Sequence, residues 1–389
     1  MWLFRSGLFL FAYVVMNIYT GIRFLTLVRY FFPSLKALVF WPIYLIFCYS
    51  FVLIMLLRLG WLRPLRQGAM NSLPALVYFF FALLVLDLIR LVYRLLRHAP
   101  LSQGLSAAFT GLALGLTVLV MIYGAFVARS IRPTHYEITL KKNPGQDVLR
   151  IALISDLHIG TVVGRKWLAN IVDAANRTEP DIICIAGDIF DNNINAIQDV
   201  EGVARELRRF NAPLGVYACP GNHDVDRISF GGTNPERGGT DNINNFLKGA
   251  GILLLQDEVL LITDSFYLAG RRDIRPIGGL NIRKSAVELI EGIDKSKPLI
   301  VMDHQPVDFP GIEDAGADLI LSGHTHKGQF FPGNIATARI FKEAGAVHYG
   351  YWQGNSAQAV VTSGAGVWGP PIRVATRSEV SVIDVRTGE

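Results

Sequence analysis

Residues 149–158 read LRIALISDLH, an apolar run that stops at Ser155 and ends in Asp156, Leu157 and His158. Short apolar runs bounded by polar residues have the pattern of strands buried on both faces, as in parallel sheets covered by helices. In such sheets chemistry gathers in the loops beyond the carboxyl ends of the strands. The same ending recurs down the chain. DIICIAG (181–187) is followed by Asp188 and, three residues on, Asp191. LGVYACPG (214–221) leads to Asn222, His223 and Asp224, PLIVMDH (298–304) ends on His304, and DLILSG (318–323) precedes His324 and His326. Between the first two runs, GRKWLANIVDAANRTEP (164–180) spaces Trp167, Leu168, Ile171 and Val172 as one helical face, and VEGVARELRRF (200–210) reads as a second helix. FYLAG (266–270), VVTSG (360–364) and EVSVIDV (379–385) add further strands. Strands alternating with helices predict an α/β fold with a substantial parallel sheet.

A single Asp or His at a strand end has an ordinary explanation as an Asx-turn or helix cap. Five such clusters in one register do not, and they take five of the protein's eight histidines. Carboxylate, amide oxygen and imidazole together suit Mn, Fe or Zn better than Ca or Mg, which prefer all-oxygen shells. Cysteine is absent from the clusters, which argues against a closed structural zinc site. The candidate ligands are Asp156, His158, Asp188, Asn222, His304, His324 and His326. One ion with open positions needs about three protein ligands, so seven point to two divalent metal ions sharing a bridging carboxylate. Two such ions activate a water between them and neutralise phosphoryl oxygens during in-line displacement, so the predicted reaction is hydrolysis of a phosphate ester. His324 and His326 alternate along an extended segment, which sends neighbours to opposite faces. The chain is therefore expected to turn just after Gly323 to bring both to one site.

Charge divides the chain. Residues 1–145 hold 14 Lys+Arg against two acids, Asp87 and Glu137, while 146–389 hold 23 basic and 30 acidic residues. The net excess of +5 belongs to the first part alone, and an acidic second part excludes a nucleic-acid footprint. No charge falls in Ser6–Ile22, Ala37–Leu57, Gln67–Leu86 or Ala99–Ala128. A helix needs about 20 apolar residues to cross a bilayer. These runs predict a membrane region over 1–128 with about four transmembrane helices, the first continuing past a snorkelling Arg23. Gly111 and Gly115 offer a small-residue face for helix packing, and Asp87 and Arg90 are spaced to pair. An even number of spans puts both termini on one side of a multi-pass cell-membrane protein. Lys and Arg near the span ends number eight on that side and six on the other, which assigns neither side to the cytoplasm. Cys48 lies in a span, and Cys184 and Cys219 in strand-like runs, as small buried thiols. Polar residues with Pro133 and Pro144 make 129–149 a linker, followed by a catalytic domain over 150–389. The Gly-rich stretch 231–240 reads as a surface loop.

The ordered series D-L-H, G-D-I-F-D, G-N-H-D, an isolated His and G-H-T-H resembles the calcineurin-like metallophosphoesterases, over about residues 150–326. The resemblance implies two packed mixed β-sheets flanked by helices, a four-layer sandwich following the α-helical membrane region. It implies that Asp156, His158 and His326 hold one metal, that Asn222, His304 and His324 hold the other, and that Asp188 bridges them. His223 would stabilise developing charge or protonate the leaving oxygen, with Asp224 fixing its ring and Asp191 supporting the ligands. The tail GVWGPPIR (366–373) resembles the branch with N-terminal membrane spans, and Arg373 is a candidate contact for substrate phosphate. Where many of that branch carry Gly after G-H-T-H, this chain has Lys327. That lysine either binds an anionic substrate group or points into solvent. The expected protein is a membrane-anchored phosphoesterase acting on a phosphodiester or a lipid-linked phosphoester, with the bilayer as its other partner. The competing expectation is a channel or transporter with a regulatory phosphoesterase-like domain. A nuclease is weakest, for want of a basic stripe.

Overall fold

The computed structural model describes residues 2–57, 63–98, 101–191, 197–224, 239–275, 283–343 and 345–388. Residues 231–238 of the Gly-rich stretch, and Arg58, lie outside them. The chain forms two compact units, one of Met1–Ala125 with Gly369–Pro371, the other of Phe126–Trp368 with Ile372–Glu389.

The first unit is helical: α1 (Trp2–Phe31), α2 (Ala37–Leu57), α3 (Arg63–Met70), α4 (Ser72–Arg97) and most of α5 (Gln103–Arg129). Three stretches, Leu10–Phe31, Gly68–Arg97 and Gln103–Arg129, are long and apolar enough to cross a membrane, and Ala37–Ser50 is a shorter apolar stretch. The first helix does continue past Arg23, and this side chain is paired between helices. Its guanidinium reaches Asp87 Oδ2 at 2.5 Å, while Arg90 takes Asp87 Oδ1 at 2.6 Å. The tight helix approach is also elsewhere than expected. A Cβ on Gly115 would meet nothing within 4 Å, whereas one on Gly21 would sit 2.5 Å from the Trp41 ring.

The second unit holds twelve strands among the described residues: β1 (Arg132–Leu140), β2 (Leu149–Ile154), β3 (Ile182–Ala186), β4 (Val216–Cys219), β5 (Ile252–Leu254), β6 (Glu258–Ile262), β7 (Phe266–Gly270), β8 (Leu299–Met302), β9 (Leu319–Ser322), β10 (Gly350–Gln353), β11 (Gln358–Val361) and β12 (Glu379–Thr387). Its helices are α6 (Arg165–Asn176), α7 (Val200–Leu207), α8 (Gly239–Gly249), α9 (Ala286–Leu289), α10 (Phe309–Ala315) and α11 (Gly333–Glu343). Two six-stranded mixed sheets result, ordered β1-β12-β2-β3-β4-β5 and β10-β11-β9-β8-β7-β6.

The period-two alternation of strand side chains builds the layers. Ile151 and Leu153 of β2, and Ile182 and Cys184 of β3, enter a core shared with Ile300, Leu319 and Leu321 of the other sheet. Their neighbours Ala152, Ile154, Ile183 and Ile185 face Leu168, Ile171 and Val172 of α6 and Val203 and Leu207 of α7. On the far side, Val301 and Ile320 pack with Phe309 and Ile312 of α10. The order helix, sheet, sheet, helix is the expected four-layer sandwich.

The segment expected as a linker differs. Residues 132–140 within it form β1, which pairs in parallel with β12 over nine positions at the edge of the first sheet. Pro133 sits within this strand because an edge strand tolerates a residue that cannot donate to the ladder.

Candidate metal centre

β2, β3 and β4 run parallel in one sheet, and β8 and β9 run parallel in the other. Their carboxyl ends deliver, in order, Asp156, Asp188, Asn222, His304 and His324 to one place. The backbone bends hard to do so. Asp156, His158, Asp188, His324 and His326 all have positive φ, between +45° and +74°. A left-handed conformation in a non-glycine residue costs of order 1–3 kcal/mol and persists only where the surroundings impose it. The turn in G-H-T-H thus falls just after Gly323, as expected, on His324 (φ +74°) and His326 (φ +49°), and needs no positive φ at the glycine itself. Gly323 is constrained instead by a close approach, since a Cβ there would collide with Ser155 Oγ and lie 2.7 Å from Asp156 Oδ2.

Three groups of potential ligand atoms converge among the described residues; one is His158, Asp191 and His223, and the other two hold the expected ligands. Those of Asp156, His158 and His326 lie within 4.8 Å of one another, as do those of Asp188, His304 and His324. Asp188 stands between the groups, its Oδ2 3.2 Å from His304 Nε2 and 3.7 Å from His158 Nε2. Its other oxygen is held by the backbone N–H of His223 at 2.7 Å. Within the groups, His158 Nε2 faces His326 Nε2 at 3.1 Å, and His324 Nδ1 faces His304 Nε2 at 3.2 Å. The Nδ1–H of His304 points at the Ala186 carbonyl, 2.8 Å away, which aims its Nε2 into the site. Asp156 is oriented by the Ser155 hydroxyl and by the backbone N–H of His324 at 3.0 Å.

Burial sets the electrostatics. It pulls His158 and His324 down to about 3, and His326 well below the usual imidazole range, so these rings are neutral. Burial also lifts Asp156 to about 6. For Asp188 and His304 burial is outweighed by their mutual attraction, which holds the Asp188 carboxyl well below its ordinary value and raises His304 to about 10.

Asn222 Oδ1 and Asp156 Oδ1 are buried with no hydrogen-bond partner among the described residues. A buried oxygen left in that state is costly unless something else satisfies it. Three neutral imidazoles, carboxylates and an orphaned amide oxygen around two foci fit divalent transition metals in donor type and number.

Three residues depart from the expectations. The Asp224 carboxylate does not hold the His223 ring. It accepts from the backbone N–H groups of Gly221 (2.8 Å), Phe190 (2.9 Å) and Ile189 (3.1 Å), clamping the two loops that carry Asp188 and Asn222. The carboxylate facing His223 is Asp191, with Oδ1 4.0 Å from Nδ1, and His223 Nε2 lies 4.0 Å from Asp188 Oδ2. Arg373 does not face substrate; it is wholly buried, and its guanidinium donates to the carbonyls of Ser363 (2.7 Å), Gly366 (2.8 Å), Gly364 and Arg377 (3.1 Å each) and His326 (3.3 Å). Lys327 is half-buried, and its ammonium lies 3.8 Å over the Tyr349 ring. The sequence reading missed Ser155, Gln329 and Trp368. Ser155 directly precedes the first ligand, the one signal that marked it.

Residues 149–328 match the family model for calcineurin-like phosphoesterase. A transmembrane protein with metallophosphoesterase domain from Danio rerio is 29% identical over 342 residues, covering 83% of this chain and 73% of that one. An uncharacterized metallophosphoesterase of Campylobacter jejuni is 26% identical over 369 residues, covering 90% of this chain and 92% of its own. One from Helicobacter pylori is 28% identical over 277 residues, covering 69% and 68% respectively.

Proposed function

Through residues 149–328 this chain belongs to the calcineurin-like metallophosphoesterases, and from that premise we propose a membrane-anchored hydrolase of phosphate esters working with two divalent metal ions, Mn, Fe or Zn. The observation that carries the reading is the pair of ligand groups joined by Asp188. Asp156, His158 and His326 would hold one ion, Asn222, His304 and His324 the other, with Asp188 shared. When bound, the ions supply an activated water and positive charge for the phosphoryl oxygens.

The chain's own groups do the rest. Asp188, pinned by the His223 N–H, keeps the two foci in register. His223, at the edge of the centre and facing Asp191, stabilises charge on the phosphoryl group or protonates the departing oxygen. Asp224 acts one step back, by fixing the loops that present these residues.

The membrane region ends near residue 128, with about four spans in the cell membrane and both termini on one side. The catalytic part then starts at β1 rather than after a free linker. Anchoring favours a phosphodiester or a lipid-linked phosphoester as substrate. A channel or transporter is the poorer reading, because the intramembrane charges are spent on one another: Asp87 is paired with both Arg23 and Arg90.

The test uses detergent-purified full chain with Mn²⁺ and a chromogenic phosphodiester, beside His223→Ala and Asp188→Asn. Turnover that drops by two or more orders of magnitude in both variants supports the reading. Equal turnover in all three proteins contradicts it.

A further inference from the structure

The apolar side chains around the centre are buried, Leu157, Ile189, Phe190 and Val367 among them, but Trp368 is 50% exposed. A lone exposed aromatic is ordinary on a protein surface. This one is held in place on both sides of its peptide unit. Its N–H donates to Gln329 Oε1 at 2.8 Å, and its carbonyl accepts from Gln329 Nε2 at 3.0 Å. Gln329 is itself buried with a positive φ (+52°), three residues beyond His326. Val367, the preceding residue, is anchored in the core. The exposed indole therefore starts from a fixed backbone, and its ring centroid stands 5.9 Å from that of His223, with the planes 59° apart.

We infer that Trp368 is a wall of the leaving-group subsite and selects phosphoesters whose leaving alcohol carries a flat ring. The inference rests on the reading of His223 as the group next to the departing oxygen. An alcohol within reach of that imidazole lies beside the indole, and only a flat ring gains offset stacking or edge contact from it. Trp368 is a specificity residue here and takes no part in the bond-breaking step.

The experiment compares two methyl phosphodiesters on the detergent-purified full chain with Mn²⁺, one with phenol and one with hexafluoroisopropanol as leaving group. These alcohols are similar in acidity and differ in the ring. Wild type, Trp368→Leu and Trp368→Phe are measured. In Trp368→Leu, KM for the phenyl ester should rise about fivefold to tenfold, with KM for the other ester and kcat for both within about twofold. Trp368→Phe should restore most of the phenyl preference. An unchanged phenyl KM in Trp368→Leu, or an equal rise for both esters, overturns the assignment. Failure of wild type to cleave either ester would overturn the phosphoesterase reading beneath it.

Discussion

His158 and His326, 168 positions apart, face each other through their Nε2 atoms at 3.1 Å, their rings 21° from parallel. Both are buried and held neutral, so each ring is able to turn an Nε2 lone pair to one point beside Asp156 Oδ1. Such a cluster is more stable with a cation than without. Dialysis against a chelator should lower Tm, and Mn²⁺ at about 100 times its Kd should return about 2.7 kcal/mol, or roughly 5–10 °C. Differential scanning calorimetry reads this directly; an unchanged Tm would argue that no metal binds there.

Lys327 occupies a left-handed position (φ +51°) and offsets that cost through the Tyr349 ring. Lys327→Gly should lose the ring contact but relieve the backbone, leaving stability within about 1 kcal/mol of wild type. Lys327→Ala loses the contact with no relief, and should be less stable than the glycine variant by about 1 kcal/mol. Urea unfolding checks the order of the two.

Arg373 predicts a stability defect. Its five carbonyl partners lie along 363–366, at 377 and on His326. Arg373→Met would leave buried carbonyls unpaired and should cost at least about 4 kcal/mol. Lysine should not rescue it, since one ammonium cannot span that fan. A variant with normal Tm and raised KM would restore substrate contact as its role.

Asp191 and Asp224 should separate cleanly. Asp191→Asn, beside the His223 ring, should lower kcat about tenfold with Tm nearly unchanged. Asp224→Asn turns an amide N–H₂ toward backbone donors and should cost about 2–4 kcal/mol of stability. Thermal melts beside steady-state kinetics distinguish the pair.

The strands and the strand-end residues were legible because buried parallel strands and their polar endings leave a local, repeating mark. Six of the seven candidate ligands gather in two groups at these endings, and Asn222 Oδ1 is buried without a hydrogen-bond partner among the described residues. What each side chain does once there was not legible. The turn just after Gly323 was legible, but the constraint on Gly323 itself, the close approach of Ser155, was not. Asp224 is set apart by the backbone amides it accepts from, Asp191 by the His223 ring beside it, and Arg373 by carbonyls drawn from His326 to Arg377. These are consequences of tertiary packing, and no pattern of neighbours in the chain records them. The strand within 129–149 was hidden for a related reason: its pairing partner, β12, lies at the far end of the chain.

The central claim is two ions on one shared carboxylate, and metal content tests it most directly. Detergent-purified protein loaded with Mn²⁺ and desalted should carry two metal ions per chain by inductively coupled plasma mass spectrometry. Asp188→Asn should retain at most one. One ion or none in wild type, or two in the variant, would contradict it.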